Sequence, residues 1–589
     1  MKEEEKYMDN ETKPIQEAIM KEKYSEAEQL LIEYVKDKGI YDDVIAIFEG
    51  SIAAYYGDRA RMWDAIRQGL LYNCRNYELY VMLGNYYLEE NLQQAYLCYE
   101  NAYFYCDVDE DKYEIEQLML QLKNDYKITM NKTAIVILSY NLLEYTRKCI
   151  ESIRGTTLDS TREIIVVDNA SKDGSVEWLR EQEDIILIEN SENKGFPAGC
   201  NQGIDAASQD ADIFLLNNDT VLPANALFWL RMGLYADEKN GTAGCVSNHV
   251  TNLQQVAHGI QGEEELLKYG ERVNVPLRYF SEKKIFLIGF ALLIRREVLN
   301  QVGVLDERFT PGNSEDEDYG LRILKAGYQN VLCRNSFIIH FGSKSFGKMG
   351  KNFRNVLQVN RKKLDEKWGI NTKYYMYPRL ELVQMVDEPI YKEMRVLDIG
   401  CGCGAMIACI KGLYPNASVS GIEIVPEAAE FAKHMGEVIC ADVETLEFPW
   451  QEEYFDYVIM GDVLEHLKKP DIVLEKVHKC LKKDGHIVVS MPNMKHYSVI
   501  LPLLIKDVFP YSNSGILDTT HLKMYTGTEI RRLVSRNKFV VEKWTHTTVD
   551  NPGGEVEKLI DQLTAMMQKP DKDSFLAYQY LVKAGKAVK

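Results

Sequence analysis

Acidic side chains follow apolar, strand-like runs at two points in the first half of the chain. Asp168 ends the run EIIVVD, and Asp219 follows the run IFLLNN. Parallel strands present their carboxyl ends at one edge of a sheet, so we expect both acids at that edge. One could hold a ribose and the other a metal-bound diphosphate, because a leaving diphosphate carries charge that a divalent cation neutralises. His340, which ends the run SFIIH, is the available imidazole ligand.

A second acidic group supplies a candidate general base. Glu315 and Asp316 begin the segment EDEDYGLRILKAG, after a turn that contains Pro311 and Gly312. A carboxylate presented to the sheet edge could take the proton from an acceptor hydroxyl as that hydroxyl attacks a sugar carbon. Acids in a first helical turn also stabilise the helix dipole, so simple capping is the alternative interpretation.

A glycine-rich loop in the second half of the chain predicts another ligand site. The apolar run 394–399 is followed by GCGCG, which opens a helix. Glycine lets the backbone approach a ligand closely, and a helix N-terminus offers free N–H groups. Glu423, which ends the run SVSGIEI, could bind both hydroxyls of a ribose, and Asp442 could contact an adenine. The candidate cofactor residues are Asp398, Gly400, Gly402, Gly404, Glu423 and Asp442.

Two other interpretations of this loop stay open on the residues alone. A glycine-rich turn occurs in many α/β domains without binding any cofactor. A dinucleotide dehydrogenase is the sharper alternative, but it would have G-x-G-x-x-G where this chain reads G-x-G-x-G.

Elements that could position these residues begin at Lys132, where strands start to alternate with helices and predict a parallel sheet. The expected strands are 133–139, 163–168, 184–189, 212–217, 285–294 and 336–340. Residues 343–375 are expected to add a helical extension. A second series of strands and helices runs from about 394 to 545, and a helix is expected after Pro552.

The segment 14–128 has a helical pattern without strand-like alternation. Its clearest unit, Tyr80-x-x-Leu83-Gly84-x-x-Tyr87, resembles a tetratricopeptide repeat. Residues 1–130 also hold 17 of the 36 tyrosines. These rings could line a concave groove for a peptide or glycan partner. Equally, they could fill the helix core of a dimerisation or spacer module.

Composition excludes several classes of function. A net charge of −20 argues against binding nucleic acid or an anionic membrane. No uncharged apolar run reaches the roughly 18 residues of a transmembrane helix. The start MKEEEKYMDN lacks the apolar core of a secretory signal. The 12 cysteines show no C-x-x-C pair, so we expect free thiols and a cytoplasmic location.

Over roughly residues 131–370 the first motif series resembles glycosyltransferase family 2, the inverting enzymes of the GT-A fold. It is most similar to the rhamnosyl- and galactofuranosyltransferase branches. The resemblance implies a nucleotide-sugar donor, a TDP- or UDP-sugar, and a divalent metal, Mg²⁺ or Mn²⁺. The donor-binding residues that it implies are Tyr140, Asp168, Asn218 and Asp219.

The same resemblance implies catalytic and metal-binding roles. Asp316, with Glu315 beside it, becomes the base, and Asp219 and His340 become the metal ligands. His340 follows Asp316 at the spacing at which the galactofuranosyl branch carries its metal-binding histidine. One departure is that many members have two or three acids where this chain reads NND, ending at Asp219. A degenerate sugar-binding domain without turnover therefore stays an alternative.

Residues 380–545 resemble the class I S-adenosylmethionine-dependent methyltransferases. Besides the glycine loop, the matching motifs are FDYVIMGDVLEHL at 455–467 and GHIVVSMPN at 485–493. The resemblance implies S-adenosylmethionine contacts at the cofactor residues named above. His466 and His521 could deprotonate a hydroxyl, since a neutral imidazole works near pH 7. Either histidine could instead be structural, because methyl transfer can proceed through positioning alone. No metal-binding cluster is expected in this half.

The sequence therefore predicts a multidomain chain. Its parts are a tetratricopeptide-like all-α domain (1–130), a GT-A glycosyltransferase domain of α/β fold with a helical extension (131–372), a Rossmann-like class I methyltransferase domain of α/β fold (373–550) and a helical tail (551–589).

The predicted function is a bifunctional enzyme of bacterial surface-glycan synthesis. It would transfer a rhamnose-like sugar with inversion and O-methylate a sugar hydroxyl. The acceptor would be a glycan or a glycoprotein such as flagellin or an S-layer protein. The alternatives are a lipid-linked O-antigen or capsule acceptor, and a methyltransferase with a degenerate glycan-binding domain. A protein partner on the helical domain and a homodimer are further open interpretations.

Overall fold

The computed structural model describes residues 11–342, 351–549 and 552–587. The chain divides into two compact units, residues 1–364 and 365–589. Two predictions concern segments outside the described residues. They are the lack of a secretory signal in residues 1–10 and the part of the helical extension at 343–350. None of the described helices is long and apolar enough to cross a bilayer. All 12 cysteines are free thiols, as predicted.

The first unit begins with helices that pack in consecutive pairs, such as α3 on α4 and α5 on α6. The helices are α1 (Lys13–Met20), α2 (Tyr24–Lys38), α3 (Asp43–Tyr55), α4 (Arg59–Tyr72), α5 (Tyr77–Tyr87), α6 (Leu92–Tyr105) and α7 (Asp109–Tyr126). Helices α3 to α6 each start after an Asp or Asn whose side chain accepts a hydrogen bond from a backbone N–H of the first turn. These capping residues are Asp42, Asp58, Asn76 and Asn91.

The repeat-like pattern has a packing reason in α5 and α6. A Cβ atom at Gly84 would lie 2.4 Å from the ring of Tyr99, so only glycine lets the two helices approach this closely. The tyrosines of this region are divided between the core and the surface. Tyr80 and Tyr99 are fully buried, whereas Tyr72 and Tyr113 are exposed. The tetratricopeptide resemblance and the partner groove stay predictions.

Strands of the first unit form an eight-stranded mixed sheet and a two-stranded sheet within the described residues. They are β1 (Thr133–Ser139), β2 (Arg162–Asp168), β3 (Ile185–Glu189), β4 (Asp212–Asn217), β5 (Thr220–Val221), β6 (Asn240–Val246), β7 (Ser281–Lys284), β8 (Ala291–Ile294), β9 (Gln329–Phe337) and β10 (Ile339–His340). The order in the large sheet is β3-β2-β1-β4-β8-β6-β9-β7, and β5 pairs with β10. Strands β1 to β4 are parallel where they pair.

Helices cover this sheet, which confirms the predicted α/β fold. They are α8 (Leu143–Arg154), α9 (Ser175–Arg180), α10 (Phe196–Ala206), α11 (Ala226–Leu234), α12 (Glu263–Val273), α13 (Arg296–Val302), α14 (Glu315–Lys325) and α15 (Lys351–Trp368). The core between sheet and helices is apolar, as in Phe214 of β4 and Trp229 of α11, both fully buried.

The strand predicted at 285–294 is wrong over most of its length. Only β8, at its end, is a strand, and residues 285–290 form a loop. Side chains take up the backbone hydrogen bonds of this loop in place of a neighbouring strand. Gln254 Oε1 accepts from the Ile288 N–H at 2.9 Å, and Asn330 Nδ2 donates to the Ile285 carbonyl at 2.9 Å.

The strand predicted at 336–340 is divided between two sheets. Phe337 ends β9 and pairs with Val246 of β6. The chain then leaves the large sheet, and β10 pairs antiparallel with β5, so that His340 lies opposite Thr220. This change of partner brings His340 to the residue that follows Asp219.

Helix α6 shares a buried interface with α11. Gln94 donates through Nε2 to the carbonyl oxygen of Met232 at 2.9 Å. Arg231 and Glu100 form an ion pair in which the side chains are 7% and 9% exposed. A buried charge requires a partner, so each of these groups depends on the other helix. The helices and the first sheet therefore share one core.

The second unit contains a seven-stranded sheet in the order β13-β12-β11-β14-β15-β17-β16 within the described residues. The strands are β11 (Met394–Ile399), β12 (Ala417–Glu423), β13 (Glu437–Cys440), β14 (Phe455–Gly461), β15 (Leu481–Pro492), β16 (Phe539–Thr547) and β17 (Gln579–Lys586). The helices are α16 (Thr372–Tyr375), α17 (Leu380–Val383), α18 (Ala405–Leu413), α19 (Pro426–Ala432), α20 (Pro470–Cys480), α21 (Tyr497–Lys506), α22 (Gly527–Arg536), α23 (Glu555–Ala565) and α24 (Asp573–Leu576). The predicted Rossmann-like fold is confirmed.

The helical tail predicted after residue 551 is only partly helical. Its last described element is β17, which pairs antiparallel with β15 on one side and with β16 on the other. The apolar residues of its run YLV are buried. A three-residue apolar run is too short to separate a strand from a helix by periodicity, and its partners are distant in sequence.

Candidate active sites

Two loops at the edge of the first sheet are linked through Asp168. This acid ends β2, is 1% exposed and accepts hydrogen bonds from the Ser171 backbone N at 2.8 Å and hydroxyl at 2.5 Å. The Ser171 hydroxyl also accepts from the Asn141 N–H at 2.7 Å, in the loop after β1. Tyr140, which is 40% exposed, lies in that loop. The predicted donor residues Tyr140 and Asp168 are thus brought to one edge.

Asn218 supports the same edge from behind the loop after β1. Its Nδ2 donates to the Thr146 hydroxyl at 3.0 Å and to the Asn141 carbonyl at 3.3 Å. The side chain is 6% exposed, so its amide nitrogen holds the loop in place. A direct donor contact by Asn218 stays a prediction.

Asp219 and His340 are adjacent because β5 and β10 pair. His340 Nε2 lies 3.3 Å from Asp219 Oδ1. His340 Nδ1 lies 2.7 Å from the His249 carbonyl oxygen, and a carbonyl only accepts, so Nδ1 carries the hydrogen. Among the described residues, Nε2 makes no hydrogen bond and is buried. An imidazole lone pair facing a carboxylate fits a bound cation between them.

The backbone of His340 is held on both sides by Asn248. The Asn248 Oδ1 accepts from the His340 N–H at 2.9 Å, and its Nδ2 donates to the His340 carbonyl at 3.1 Å. The ring of Phe290 stacks on the imidazole with centroids 4.9 Å apart. These contacts fix the ring plane, which a metal-binding histidine needs.

Asp316 is half-buried at the start of α14. Its Oδ2 accepts from the Gly289 N–H at 3.1 Å, and its Oδ1 accepts from the Glu317 N–H at 2.9 Å. Burial, followed by the negative charge of Glu317, raises the pKa of Asp316 to about 6. An acid with that pKa is ionised at neutral pH yet basic enough to take a proton.

Glu315, the residue before Asp316, lies in surroundings that favour its neutral, protonated form. It is 6% exposed, and among the described residues its Oε2 makes no hydrogen bond. Burial and the charge of Asp316 raise the pKa of Glu315 well above its ordinary value. Glu315 is therefore protonated when Asp316 is charged, so the pair divides into one neutral acid and one base.

The turn before Asp316 adopts positive φ angles at Gly312 (150°), Asn313 (76°) and Ser314 (74°). Such a turn needs outside support. Asn360 of α15 supplies it, since its Nδ2 donates to the carbonyls of Phe309 at 2.6 Å and of Gly312 at 3.0 Å. The sequence offers no signal for Asn360, because it is a polar residue in a polar helix.

In the second unit, the glycines after β11 adopt left-handed φ angles of 77° (Gly400), 55° (Gly402) and 85° (Gly404). A Cβ at Gly402 would lie 2.9 Å from the Tyr375 carbonyl oxygen, which also accepts from the Cys403 N–H at 2.9 Å. Glycine is required at Gly402 because of this close backbone contact. Sequence reasoning did not identify Tyr375.

Glu423 ties the end of β12 to the glycine loop. Its Oε2 accepts from the Gly402 N–H at 2.8 Å, and its Oε1 accepts from the Val425 N–H at 2.9 Å. Asp442 lies half-buried after β13, where its Oδ1 accepts from the Glu444 N–H at 2.8 Å. Both acids thus stand at the carboxyl edge of the sheet, as the sequence predicts.

Asp398 lies below the loop and is 2% exposed. Its Oδ2 makes no hydrogen bond within the described part of the chain. Burial, with a smaller contribution from the charge of Glu423, raises the pKa of Asp398 to about 7. An orphaned buried carboxylate beside a glycine cradle fits a cofactor that carries positive charge, as S-adenosylmethionine does.

His466 and His521, the two candidate bases, are in contact, with ring centroids 4.7 Å apart. Glu465 joins them, and the ligating atoms of the three residues lie within 4.8 Å of one another. These three residues could together hold a metal ion, and the sequence did not single them out as a group. The cluster was missed because His521 lies far from the other two residues in sequence.

Two separate parts of the chain match models of known protein families. Residues 134–303 match the family model "Glycosyl transferase family 2", and residues 373–543 match the model "Methyltransferase domain". The chain carries a family 2 glycosyl transferase domain and a methyltransferase domain.

Individual relatives are distant and match only parts of the chain. "Uncharacterized protein y4gI" of Sinorhizobium fredii is 27% identical over 229 residues, which are 36% of this chain and 25% of that protein. "Demethylmenaquinone methyltransferase" of Staphylococcus aureus is 28% identical over 134 residues, which are 21% of this chain and 56% of that protein. The chain thus spans a quarter and just over half of these two relatives. A SAM-dependent methyltransferase structure from Archaeoglobus fulgidus has a TM-score of 0.27 and 20% identity, covering 38% of this chain and 98% of that one.

The methyltransferase domain also contains a polar network that sequence reasoning missed. Arg379 forms an ion pair with Asp462, the acid that follows β14. Asp462 Oδ1 also accepts from the Ser490 hydroxyl at 2.8 Å and from Gln579 Nε2 at 2.9 Å. Residues of β15 and β17 therefore hold the loop between β14 and the Glu465 segment.

Proposed function

We propose that the glycosyl transferase domain moves a rhamnose-like sugar from a TDP- or UDP-sugar to a hydroxyl of a glycan or glycoprotein acceptor, with inversion. The methyltransferase domain then O-methylates a sugar hydroxyl. The observation that carries the first activity is one loop that touches both the base and the metal ligand. Gly289 donates to Asp316 at 3.1 Å, and Phe290 stacks on His340.

In the proposed transfer, Asp316 accepts the proton of the acceptor hydroxyl. The freed oxygen forms a bond to the anomeric carbon while the bond from that carbon to the diphosphate oxygen breaks. The leaving oxygen keeps the electron pair, and attack from the opposite face inverts the anomeric centre. With a pKa of about 6, Asp316 is mostly ionised at pH 7 and can pass the proton to water.

Asp219 and His340 would hold the divalent cation, Mg²⁺ or Mn²⁺, and Asp168 with Tyr140 would bind the nucleoside. When bound, the cation supplies positive charge beside the leaving diphosphate. His249 keeps the His340 Nε2 lone pair free by accepting the Nδ1 hydrogen at 2.7 Å. The stacked ring of Phe290 limits rotation of this imidazole.

In the methyltransferase domain, Glu423 would bind the ribose hydroxyls and Asp442 the adenine. The glycine loop would hold the amino-acid part, with Asp398 beneath it. S-adenosylmethionine supplies an electrophilic methyl group on a sulfonium. The residues of this chain orient that group and exclude water, which accounts for much of the rate of such transfers.

A second candidate rests on the single acid before β5. Asn217 and Asn218 occupy the positions where an acidic motif would add ligands, and Asn218 holds a loop instead. This favours a glycan-binding domain without turnover, attached to an active methyltransferase. A lipid-linked acceptor is the remaining alternative for the glycosyl transferase domain.

The test is donor turnover by the full chain with Mn²⁺ and a panel of TDP- and UDP-sugars, followed by nucleotide release. We expect Asp316→Asn to bind donor and S-adenosylmethionine normally but to release less than about 1% of the nucleotide. Glu423→Ala serves as the reciprocal control, with sugar transfer intact and methyl transfer lost. Full turnover in Asp316→Asn would rule out the base. No nucleotide release from any donor by the wild type would favour the glycan-binding alternative.

A further inference from the structure

A cluster of potential metal ligands lies in the methyltransferase domain, apart from the glycosyl transferase metal pair. Glu465 and His466 end the short 3-10 helix Leu464–His466, which begins three residues after the end of β14. His521 comes from the segment between α21 and α22. The backbone joins the two segments, because the N–H groups of Leu522 and Lys523 donate to the Glu465 carbonyl at 2.9 and 3.0 Å.

Glu465 is unusual for a buried acid. Its side chain is 0% exposed, and neither carboxylate oxygen has a hydrogen-bond partner among the described residues. A buried carboxylate without a partner is strongly unfavourable unless a cation or a proton neutralises it. The carboxylate lies within 4.8 Å of the ligating nitrogens of both histidines. One cation bound by the Glu465 carboxylate and both imidazoles would neutralise this charge.

Both imidazoles are already oriented through their other nitrogen. His521 Nδ1 lies 2.9 Å from the Ile516 carbonyl, and His466 Nδ1 lies 3.3 Å from the Thr520 carbonyl. A carbonyl only accepts, and the Thr520 hydroxyl, 3.2 Å from His466 Nδ1, already donates to Asp518 at 2.7 Å. Each Nδ1 therefore carries hydrogen and each Nε2 keeps a lone pair. Donation of Nδ1–H to a carbonyl is the usual support of a metal-binding histidine.

We propose that Glu465, His466 and His521 bind a divalent transition-metal ion such as Mn²⁺ or Zn²⁺. Two imidazoles and one carboxylate form a ligand set that suits such ions and leaves coordination positions open. His466 is exposed, so the open positions face solvent. Water or a hydroxyl of the methyl acceptor can occupy them.

The cluster also lies close to the cofactor loop. The side chain of Val463, two residues before Glu465, packs on Gly400, where a Cβ atom would be only 2.7 Å from its Cγ2. A hydroxyl on the metal would therefore stand on the side of the domain that holds the methyl donor. This placement of the acceptor rests on the proposed methyltransferase function, whereas the ligand set itself does not. With Nε2 bound to metal, neither histidine acts as a free base.

The experiment is metal binding by the full chain, without nucleotide or acceptor. Mn²⁺ is titrated and the free ion is followed by electron paramagnetic resonance, and Zn²⁺ is titrated by calorimetry. The background variant Asp219→Asn with His340→Ala removes the glycosyl transferase pair. We expect this background to keep one bound ion.

Adding Glu465→Gln or His521→Ala to that background should weaken binding at least a hundredfold. Adding His486→Ala should change nothing, although His486 also faces a carboxylate, with Nε2 at 3.0 Å from Glu542. S-adenosylmethionine binding checks that each variant is folded. Failure of the background to bind either ion, or binding that survives both cluster substitutions, overturns the proposal. A bound metal without methyl transfer would instead count against the proposed function alone.

Discussion

The ring of Phe290 lies nearly parallel to the imidazole of His340, with centroids 4.9 Å apart and an angle of 17° between the planes. The residue before it, Gly289, donates its N–H to the Asp316 carboxylate at 3.1 Å. Two consecutive residues of one loop therefore position both the proposed metal ligand and the proposed base. A change in this loop should affect metal binding and proton transfer together.

Replacing Phe290 with alanine tests the first half of this relationship. Without the ring, the His340 imidazole is free to rotate, and we expect Mn²⁺ affinity at the glycosyl transferase site to fall about tenfold, as for other groups that orient metal ligands. Calorimetric titration of Mn²⁺ with donor present measures this. Tyr279→Ala, which removes an exposed ring, should leave the affinity unchanged. Equal affinities in all three proteins would mean that the stack does not orient the ligand.

The pKa of Asp316 predicts the pH profile of sugar transfer. Burial and the charge of Glu317 raise this pKa to about 6, so the carboxylate is protonated, and unable to accept a proton, below that pH. We expect kcat/KM to be level above about pH 7 and to fall about tenfold per unit below pH 6. Donor affinity, measured at each pH, separates this loss from weaker binding. A profile that stays flat down to pH 5 would exclude Asp316 as the titrating base.

Asp398 should make the stability of the methyltransferase domain depend on pH. Its pKa is raised from 3.8 to about 7 by burial and by Glu423, so the folded state binds the proton more tightly than the unfolded state. The associated stability is present below about pH 4 and is lost as the pH rises to 7. Asp398→Asn removes this titration, so the variant should gain up to a few kcal/mol over wild type between pH 5 and pH 8.

Thermal melting of wild type and Asp398→Asn, without cofactor, at pH 5 and at pH 8 measures this gain in stability. The same variant should bind S-adenosylmethionine about tenfold more weakly, because a carboxylate near a cationic cofactor is lost. Asp484→Asn, at an exposed position of β15, is the matched control and should shift neither quantity. A variant that melts below wild type at pH 8 would show that the carboxylate has a stabilising partner.

The ion pair between Arg231 and Glu100 should link the helical region to the first sheet. Both side chains are at least nine-tenths buried, so Glu100→Gln leaves a buried guanidinium without its counter-charge and should destabilise by about 3–5 kcal/mol. Arg231→Met combined with Glu100→Leu should be much less harmful, since no charge stays buried. Glu189→Gln, in an exposed pair with Arg180, should cost less than about 1 kcal/mol. Denaturant unfolding of the four proteins distinguishes a coupled pair from an incidental one.

Much of the fold follows from short-range patterns. The runs that end at Asp168 and Asn217 are apolar and bounded by polar residues, so both strands were predictable to within a residue. The acids at strand ends followed, because parallel strands share a carboxyl edge. Residues 285–290 are equally apolar, yet their backbone bonds go to Gln254 and Asn330. Such partners are distant in sequence, so no local pattern could reveal them.

The candidate sites likewise contain residues that local sequence patterns indicate and residues that only the fold brings together. The candidates Glu423 and Asp316 could be proposed from the sequence because Glu423 ends a strand and Asp316 lies in the first turn of a helix. Asn360, from another helix, holds the turn before the proposed base, and nothing in its sequence surroundings marks it. His466 and His521 could each be singled out from the sequence. Glu465 can be recognised as a potential metal ligand only once the fold places both histidines beside it. Convergence of distant segments is a property of packing, which motif spacing does not encode.

The position of β17 has a consequence for how the second sheet is completed during synthesis. Residues 579–586 lie between β15 and β16, so β16 emerges from the ribosome before the strand that joins it to the sheet. Until then β15 presents an open row of backbone amides and carbonyls, which can recruit other chains. A premature stop codon between 548 and 578 would make that open edge permanent. We expect such products to be removed by proteases or to aggregate, even though they retain every proposed cofactor residue.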